Sequence, residues 1–324
     1  SEICFFSFDD VDMLTAKVGN WFEANPHYGR CNNSAVALRQ RITKEDFDKF
    51  WTYVSNNRTG EPAIYFTNDI DVLSNPCGEI SLRNAGFCNL CEINATLIHT
   101  QTEFEEVCRA SSIIGTLQAS YTDFHYLRDI WKITAEKEAL LGIGITGLAT
   151  EEFMNLNHSS GAHQILETNE LIAKKIGIKK SARTTCIKPS GTTSSLLGTS
   201  SGVHAWHASF YLRRIRLGKT EAVYRYLMNV CPFLLEDDVE KPHLQAILAI
   251  PIKAPEGSTT RHSEGSIELL ERVKTLNNNW IKPGHRNGPN THNVSCTVEI
   301  EEESWGEVGE WMWENKASYN GLSV

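Results

Sequence analysis

The feature that most constrains this 324-residue chain is an alternation of short apolar runs with amphipathic stretches, repeated from one end to the other. Ile3 to Phe8 is apolar and aromatic and reads as a buried strand, after which Asp9 and Asp10 cap an amphipathic stretch to about Ala24. The rhythm recurs. Thr43 with Asp46 opens a helix through Tyr53, Ala63 to Thr67 reads as a strand, and Thr102 with Glu105 resembles a capping box for a helix to about Ser120. Leu140 to Leu148 predicts a tight strand and turn, Glu167 to Ile176 a helix, and Ala182 to Lys188 and Ala246 to Pro251 strands. Asn293 to Ile300 alternates like a strand and Glu303 to Asn315 reads as a helix. Strand-then-helix order of this kind is that of an α/β fold. No internal repeat or low-complexity tract interrupts it, which disfavours solenoids and linker-joined modules.

Composition narrows the function classes. With 41% hydrophobic residues the chain can hide roughly 75% of its unfolded surface in one large domain or two ordinary ones. The net charge of -9, with 31 Lys and Arg scattered among 40 acids, disfavours a nucleic-acid or acidic-membrane partner. No run approaches the ~20 apolar residues of a membrane span, and the start lacks the basic segment of a signal peptide. A cytoplasmic location is expected, and nine cysteines, an odd number on a long chain, are expected to be reduced thiols rather than a disulfide framework. The chain has no initiating Met and starts and stops in what read as structural elements, so it is expected to be an internal fragment of a longer protein.

Two loop-rich segments carry the chemistry. Within Asp69 to Asn94 lies Asn75-Pro76-Cys77-Gly78-Glu79, which brackets one thiol with an amide two residues before and a carboxylate two residues after. In a short extended segment those three side chains share a face. Pro and Gly beside the thiol make a stiff turn, and Asn and Glu both resist unpaired burial. A neighbouring carboxylate raises a thiol pKa, so Cys77 is a poor thiolate nucleophile; a neutral thiol is instead the starting state for hydrogen-atom chemistry. Cys88 and Cys91 form Cys-x-x-Cys, a redox pair or half of a zinc site, but zinc needs two more ligands and no second pair follows, so no metal site is expected. Cys91 reads as a packing residue. In Lys188 to His207, the run Ser190-Gly191-Thr192-Thr193-Ser194 has the composition of a phosphate-cradling turn without a Walker lysine. Arg213, Arg214 and Arg216 read as a solvated strand edge.

Taken together, Asn75-Pro76-Cys77-Gly78-Glu79, Cys88-Asn89-Leu90 and Lys188-Pro189-Ser190-Gly191-Thr192-Thr193-Ser194 resemble the catalytic subunit of ribonucleotide reductases in order and approximate separation. The resemblance implies a partial ten-stranded α/β barrel of two half-barrels with a central catalytic finger loop, and residues 1–324 as a single catalytic barrel domain truncated at both ends. It implies radical-based reduction of ribonucleotides to 2'-deoxyribonucleotides, with Cys77 as thiyl radical, Glu79 taking the 3'-hydroxyl proton, Asn75 holding the ribose hydroxyls and Cys88 as one reducing thiol. The second reducing thiol is expected upstream of Ser1. Ser190, Gly191, Thr192, Thr193 and Ser194 would hold the substrate phosphates. The radical source implied is adenosylcobalamin, the alternative being a di-iron partner subunit, and the glycyl-radical branch is disfavoured because it lacks this pattern. Implied partners are a ribonucleoside di- or triphosphate and a thioredoxin- or glutaredoxin-type reductant. The competing reading is a non-catalytic nucleotide-binding module or split-gene piece that needs a partner chain.

Overall fold

A computed structural model of the protein describes every residue other than Ser1, Arg58, Thr59 and Cys88. In chain order its elements are β1 (Glu2–Ser7), α1 (Val11–Thr15), α2 (Trp21–Ala24), β2 (Cys31–Leu38), α3 (Lys44–Asn57), β3 (Ala63–Thr67), β4 (Val72–Ser74), β5 (Ser81–Arg83) and β6 (Leu90–Asn94). These are followed by α4 (Gln101–Ala119), α5 (Asp129–Glu138), β7 (Gly142–Thr146), α6 (Glu151–Met154), α7 (His158–Ile176) and α8 (Gly191–Leu197). Then come β8 (Phe210–Gly218), α9 (Ala222–Val230), β9 (Leu235–Asp237), β10 (Gln245–Lys253), α10 (Ser266–Leu276), α11 (Trp305–Glu314) and β11 (Gly321–Leu322). Strands and helices alternate through most of this order, so the fold is α/β.

The chain divides into two compact units, Ser1–His204 with Glu264–Val324, and Ala205–Ser263. In the larger, β1, β2 and β3 run parallel and β11 joins β3 antiparallel, giving the order β1-β2-β3-β11. A second parallel pair, β6 and β7, continues through single bridges: Ile143 to Thr185, Ile187 to Val294, and Thr297 to Ser323 beside β11. One wall of extended segments therefore leads from β6 round to β1. The segments around residues 185 and 294, expected as strands, are joined by isolated bridges rather than ladders. Helices cover the wall. α3 buries Phe47, Phe50, Trp51 and Val54 and meets α11, where Trp51 Nε1 donates to the Trp305 carbonyl at 2.9 Å. The smaller unit is a three-stranded antiparallel sheet, β8-β10-β9, with α9. Arg214 and Arg216 on its edge strand β8 pair with Glu236 and Asp238.

Local signals set several boundaries. Asp10 caps α1 through the Met13 amide, but the amphipathic stretch splits into α1 and α2 around Gly19, whose φ of 66° suits glycine. Thr43 and Asp46 exchange bonds ahead of α3, as expected. The capping box of α4 needs correction: it is Thr100 with Glu103, not Thr102 with Glu105, because the Glu103 carboxylate reaches the amides of both His99 and Thr100. The Lys188 to His207 loop also contains a helix, α8, that its Ser and Thr content concealed.

Candidate active site: a thiol finger beside two buried carboxylates

The Asn75 to Glu79 motif is the turn of the β4–β5 hairpin. Its shape comes from its own polar groups: the Asn75 carbonyl accepts from the Gly78 amide at 2.9 Å, the Asn75 side-chain oxygen accepts from the Ile80 amide at 3.0 Å, and Gly78 sits at φ 80°. The segment 291–295 straps it down. The Asn293 amide donates to the Glu79 carbonyl (2.9 Å), Ser295 Oγ to the Cys77 carbonyl (2.6 Å), and the Ser81 amide to His292 Nδ1 (3.1 Å). From β2, Asn32 Nδ2 donates to the Pro76 carbonyl at 2.7 Å. The carbonyls of the four consecutive residues Pro76 to Glu79 are thereby fixed, that of Gly78 by Asn293 Nδ2, while the Cys77 residue itself is exposed.

The electrostatics match the sequence reading. Burial first, then the Glu79 charge, push the Cys77 thiol above its ordinary value against the pull of Lys188, so it rests protonated. Glu79 is 2% exposed, and its Oε2 has no hydrogen-bond partner among the described residues. Burial raises its pKa, opposed by a hydrogen bond from Asn75, its backbone environment and the Lys188 charge. Asn75 bonds Glu79 and the Glu79 charge acts on Cys77, but the three residues meet in a tight turn rather than on one face of the extended segment expected from the sequence. Cys88 lies outside the described residues. Cys91, on β6, is half-buried against the core, its sulfur beside the backbone of Gly115.

Ser190 to Ser194 stand where a strand-like segment ends. Ser190 caps α8 in the left-handed conformation (φ 50°, ψ 33°), uncommon for a non-glycine residue, and Gly191, Thr192, Thr193 and Ser194 form the first turn. One residue that no motif flagged completes the region beside Lys188. Glu92 on β6 accepts a short hydrogen bond from Ser190 Oγ, and its Oε2 lies 3.7 Å from Lys188 Nζ. A carboxylate inside the otherwise apolar strand Leu90–Asn94 is the signal that would have found it.

A cavity of about 370 Å³ opens beside Cys77, lined among others by Pro76, Ser34, Tyr65 and Ser295. Asn32 and Ser34 share a face of β2, and the bond from Asn32 to the finger shows that this face looks at the thiol loop. Ser34 is 6% exposed. The size and mixed polar lining are those of a small-molecule site. Among the described residues no cluster of three or more His, Cys, Asp or Glu could hold a metal, and no helix is long and apolar enough to cross a membrane.

No family model matches the chain. It is 22% identical over 376 residues to the adenosylcobalamin-dependent ribonucleoside-triphosphate reductase of Lactobacillus helveticus, covering 100% of this chain and 48% of the relative. The same-named protein of Lacticaseibacillus paracasei is 23% identical over 351 residues, covering 92% and 44%. Among solved structures, a B12-dependent (class II) ribonucleotide reductase superposes with a TM-score of 0.76 at 19% identity, over 100% of this chain and 50% of that one. The class Id ribonucleotide reductase alpha subunit of Actinobacillus ureae gives 0.61 at 12% identity, over 99% and 69%. The chain is a homologue of the adenosylcobalamin-dependent ribonucleoside-triphosphate reductases, spans about half the length of the curated relatives it matches, and has the fold of a class II ribonucleotide reductase.

Proposed function

We propose that this chain is catalytic machinery for reducing ribonucleotides to 2'-deoxyribonucleotides, with the extended wall from β6 to β1 forming part of a ten-stranded barrel of two half-barrels around the finger. The observation that carries the reading is an exposed thiol at the tip of a strapped hairpin, beside a buried carboxylate with one oxygen unbonded among the described residues. The antiparallel pairing of β11 with β3, in an otherwise parallel wall, supports a junction of two parallel halves.

In this reading Cys77 loses its hydrogen atom to become a thiyl radical, then takes the 3' hydrogen atom of the ribose and so restores the S–H bond. Glu79 accepts the 3'-hydroxyl proton; burial raises its proton affinity, which makes it a better base near neutral pH. Asn75 bonds the ribose hydroxyls and steadies Glu79. The 2'-hydroxyl leaves as water, two thiols supply the two electrons and end as a disulfide, and the 3' hydrogen returns from Cys77. Cys88 is proposed as one of those thiols on its sequence context, and the Ser190 to Ser194 turn as the phosphate holder. The substrate is a ribonucleoside triphosphate, after the relatives' names, and a thioredoxin- or glutaredoxin-type protein re-reduces the disulfide.

Adenosylcobalamin, when bound, supplies the initiating radical. The residues beside Cys77 fit the nucleoside end of such a group: the cavity is nucleoside-sized, and the polar side chains of Asn32, Ser34 and Ser295 are among those lining it. The test is deoxynucleotide formation by the full-length enzyme with and without adenosylcobalamin. Turnover only with the cofactor is expected; turnover without it, or none with it, would refute this reading.

A further inference from the structure

We propose that Glu92 is a positioning residue for Glu79: it competes with Glu79 for the single ammonium of Lys188, so that the two buried carboxylates share one carboxyl proton between them beside Cys77. The inference rests on the reductase reading above and adds a residue to it.

The geometry is that of a shared counter-charge. The Glu92 side chain is 8% exposed, Lys188 21%, and Glu92 Oε2 lies 3.7 Å from Lys188 Nζ without a hydrogen bond. Glu79 Oε2 is likewise buried and unbonded. The backbone brings Glu79 to Lys188: the Asn293 amide donates to the Glu79 carbonyl (2.9 Å) and the Asn293 carbonyl accepts from the amide of Ile187 (3.1 Å), next to Lys188, whose charge acts on both carboxylates while the Glu79 charge raises Glu92. That repulsion is mutual, and two interacting buried carboxylates lose their protons in steps that belong to the pair. The charged and titratable groups facing Glu92 are Lys188, Glu79 and, on its own strand, Cys91, with Ser190 Oγ on its other oxygen. One ammonium offsets one carboxylate in such a site, and burying a second uncompensated charge is costly enough that the group keeps its proton instead. Glu92 otherwise bonds Ser190 and lies over Gly144 of β7, so it reaches Glu79 by its charge and through the shared Lys188.

The two ends of the Glu92–Lys188 pair should therefore shift Glu79 in opposite directions. In Glu92→Gln the amide oxygen still accepts from Ser190, the repulsion is gone and Lys188 serves Glu79 alone, so Glu79 ionises at lower pH. In Lys188→Met both carboxylates lose their counter-charge, and Glu79 ionises at higher pH. Two readouts apply: the acid limb of the kcat/KM profile of the full-length enzyme, and infrared titration of protonated carboxyl groups, which needs no turnover. The expected result is a limb and carboxyl midpoint that move down in Glu92→Gln and up in Lys188→Met, with KM in Glu92→Gln within about threefold of wild type because the Ser190 bond survives. Midpoints that stay in place, or move the same way in both variants, would overturn the proposal. Should the wild-type enzyme form no deoxynucleotide, the reductase reading fails, while the infrared titration still decides whether the two carboxylates are coupled.

Discussion

Cys77 and Cys108 are both free thiols in the same compact unit, and the regions around them are built on opposite principles. The Cys77 finger is held by polar bonds from residues far away in sequence, exposes its thiol and leaves a carboxylate oxygen unbonded. The α4–α7 pair around Cys108 is held by close apolar contact. A Cβ on Gly161 would lie 2.5 Å from Phe104 Cε1 and 3.1 Å from Cys108 Sγ, Phe104 meets Phe153 edge-on at 5.1 Å, and Ser112 Oγ donates to the Ile165 carbonyl at 2.8 Å. Both regions push their thiol pKa up, but for different ends: burial, then the Glu105 charge, make Cys108 inert packing, whereas Cys77 stays protonated and accessible. Stability should therefore be concentrated in the helix pair and chemistry in the finger.

The largest test of that division is Cys77→Ser, expected to cut deoxynucleotide formation by more than about 10³-fold while nucleotide affinity and Tm stay at wild-type values. Retained turnover would break the assignment of chemistry to the finger. Next is Glu79→Gln, expected to slow turnover by about 10²–10⁴-fold, the range of a lost general base. Because burial raises the Glu79 pKa, the folded state holds a proton that the unfolded chain has released, so this carboxylate costs stability as pH rises above its ordinary range. Glu79→Gln should accordingly raise Tm at neutral pH, measured by calorimetry, even as activity falls.

In the helix pair the signs reverse. Phe104→Ala should cost about 3–5 kcal/mol in denaturant unfolding through the cavity it leaves, with kcat per folded molecule unchanged. The smallest effect is on pH dependence. His158, packed between Phe104 and Phe153 with its Nε2 unpartnered, is lowered to about 4 by burial. The unfolded chain then binds a proton that the fold refuses, so stability is full above pH 6.5 and falls as pH drops toward 4, by up to about 3 kcal/mol. Buried His292, lowered well below 6.5 by burial and then by Arg183, adds in the same direction. A His158→Gln variant should flatten part of that slope in urea titrations at stepped pH.

What the sequence made legible was local. β1, β3 and the start of α3 follow from apolar runs and a Thr–Asp cap whose partners lie within a few residues. The finger was legible too, since its turn is built from its own Asn, Pro and Gly. The α4 cap went astray because Thr100 to Glu103 and Thr102 to Glu105 have identical spacing, and only the fold chooses between them. The segments near residues 185 and 294 read as strands, yet they pair by single bridges with partners about forty and more than a hundred residues away, which no local period records. Glu92 and Ser34 stayed hidden for the same reason: each looks ordinary in its own segment, and only parallel pairing of distant strands brings a lone carboxylate to Lys188, or a serine to a thiol loop.

The most direct measurement of the central claim, that Cys77 takes the 3' hydrogen of a ribonucleotide, is turnover of substrate carrying tritium at the 3' carbon. A hydrogen passed to sulfur exchanges with water, so release of part of the tritium to solvent is expected in the wild-type full-length enzyme, and none in Cys77→Ser. Deoxynucleotide formed at the normal rate by Cys77→Ser, or tritium release that persists in that variant, would contradict it.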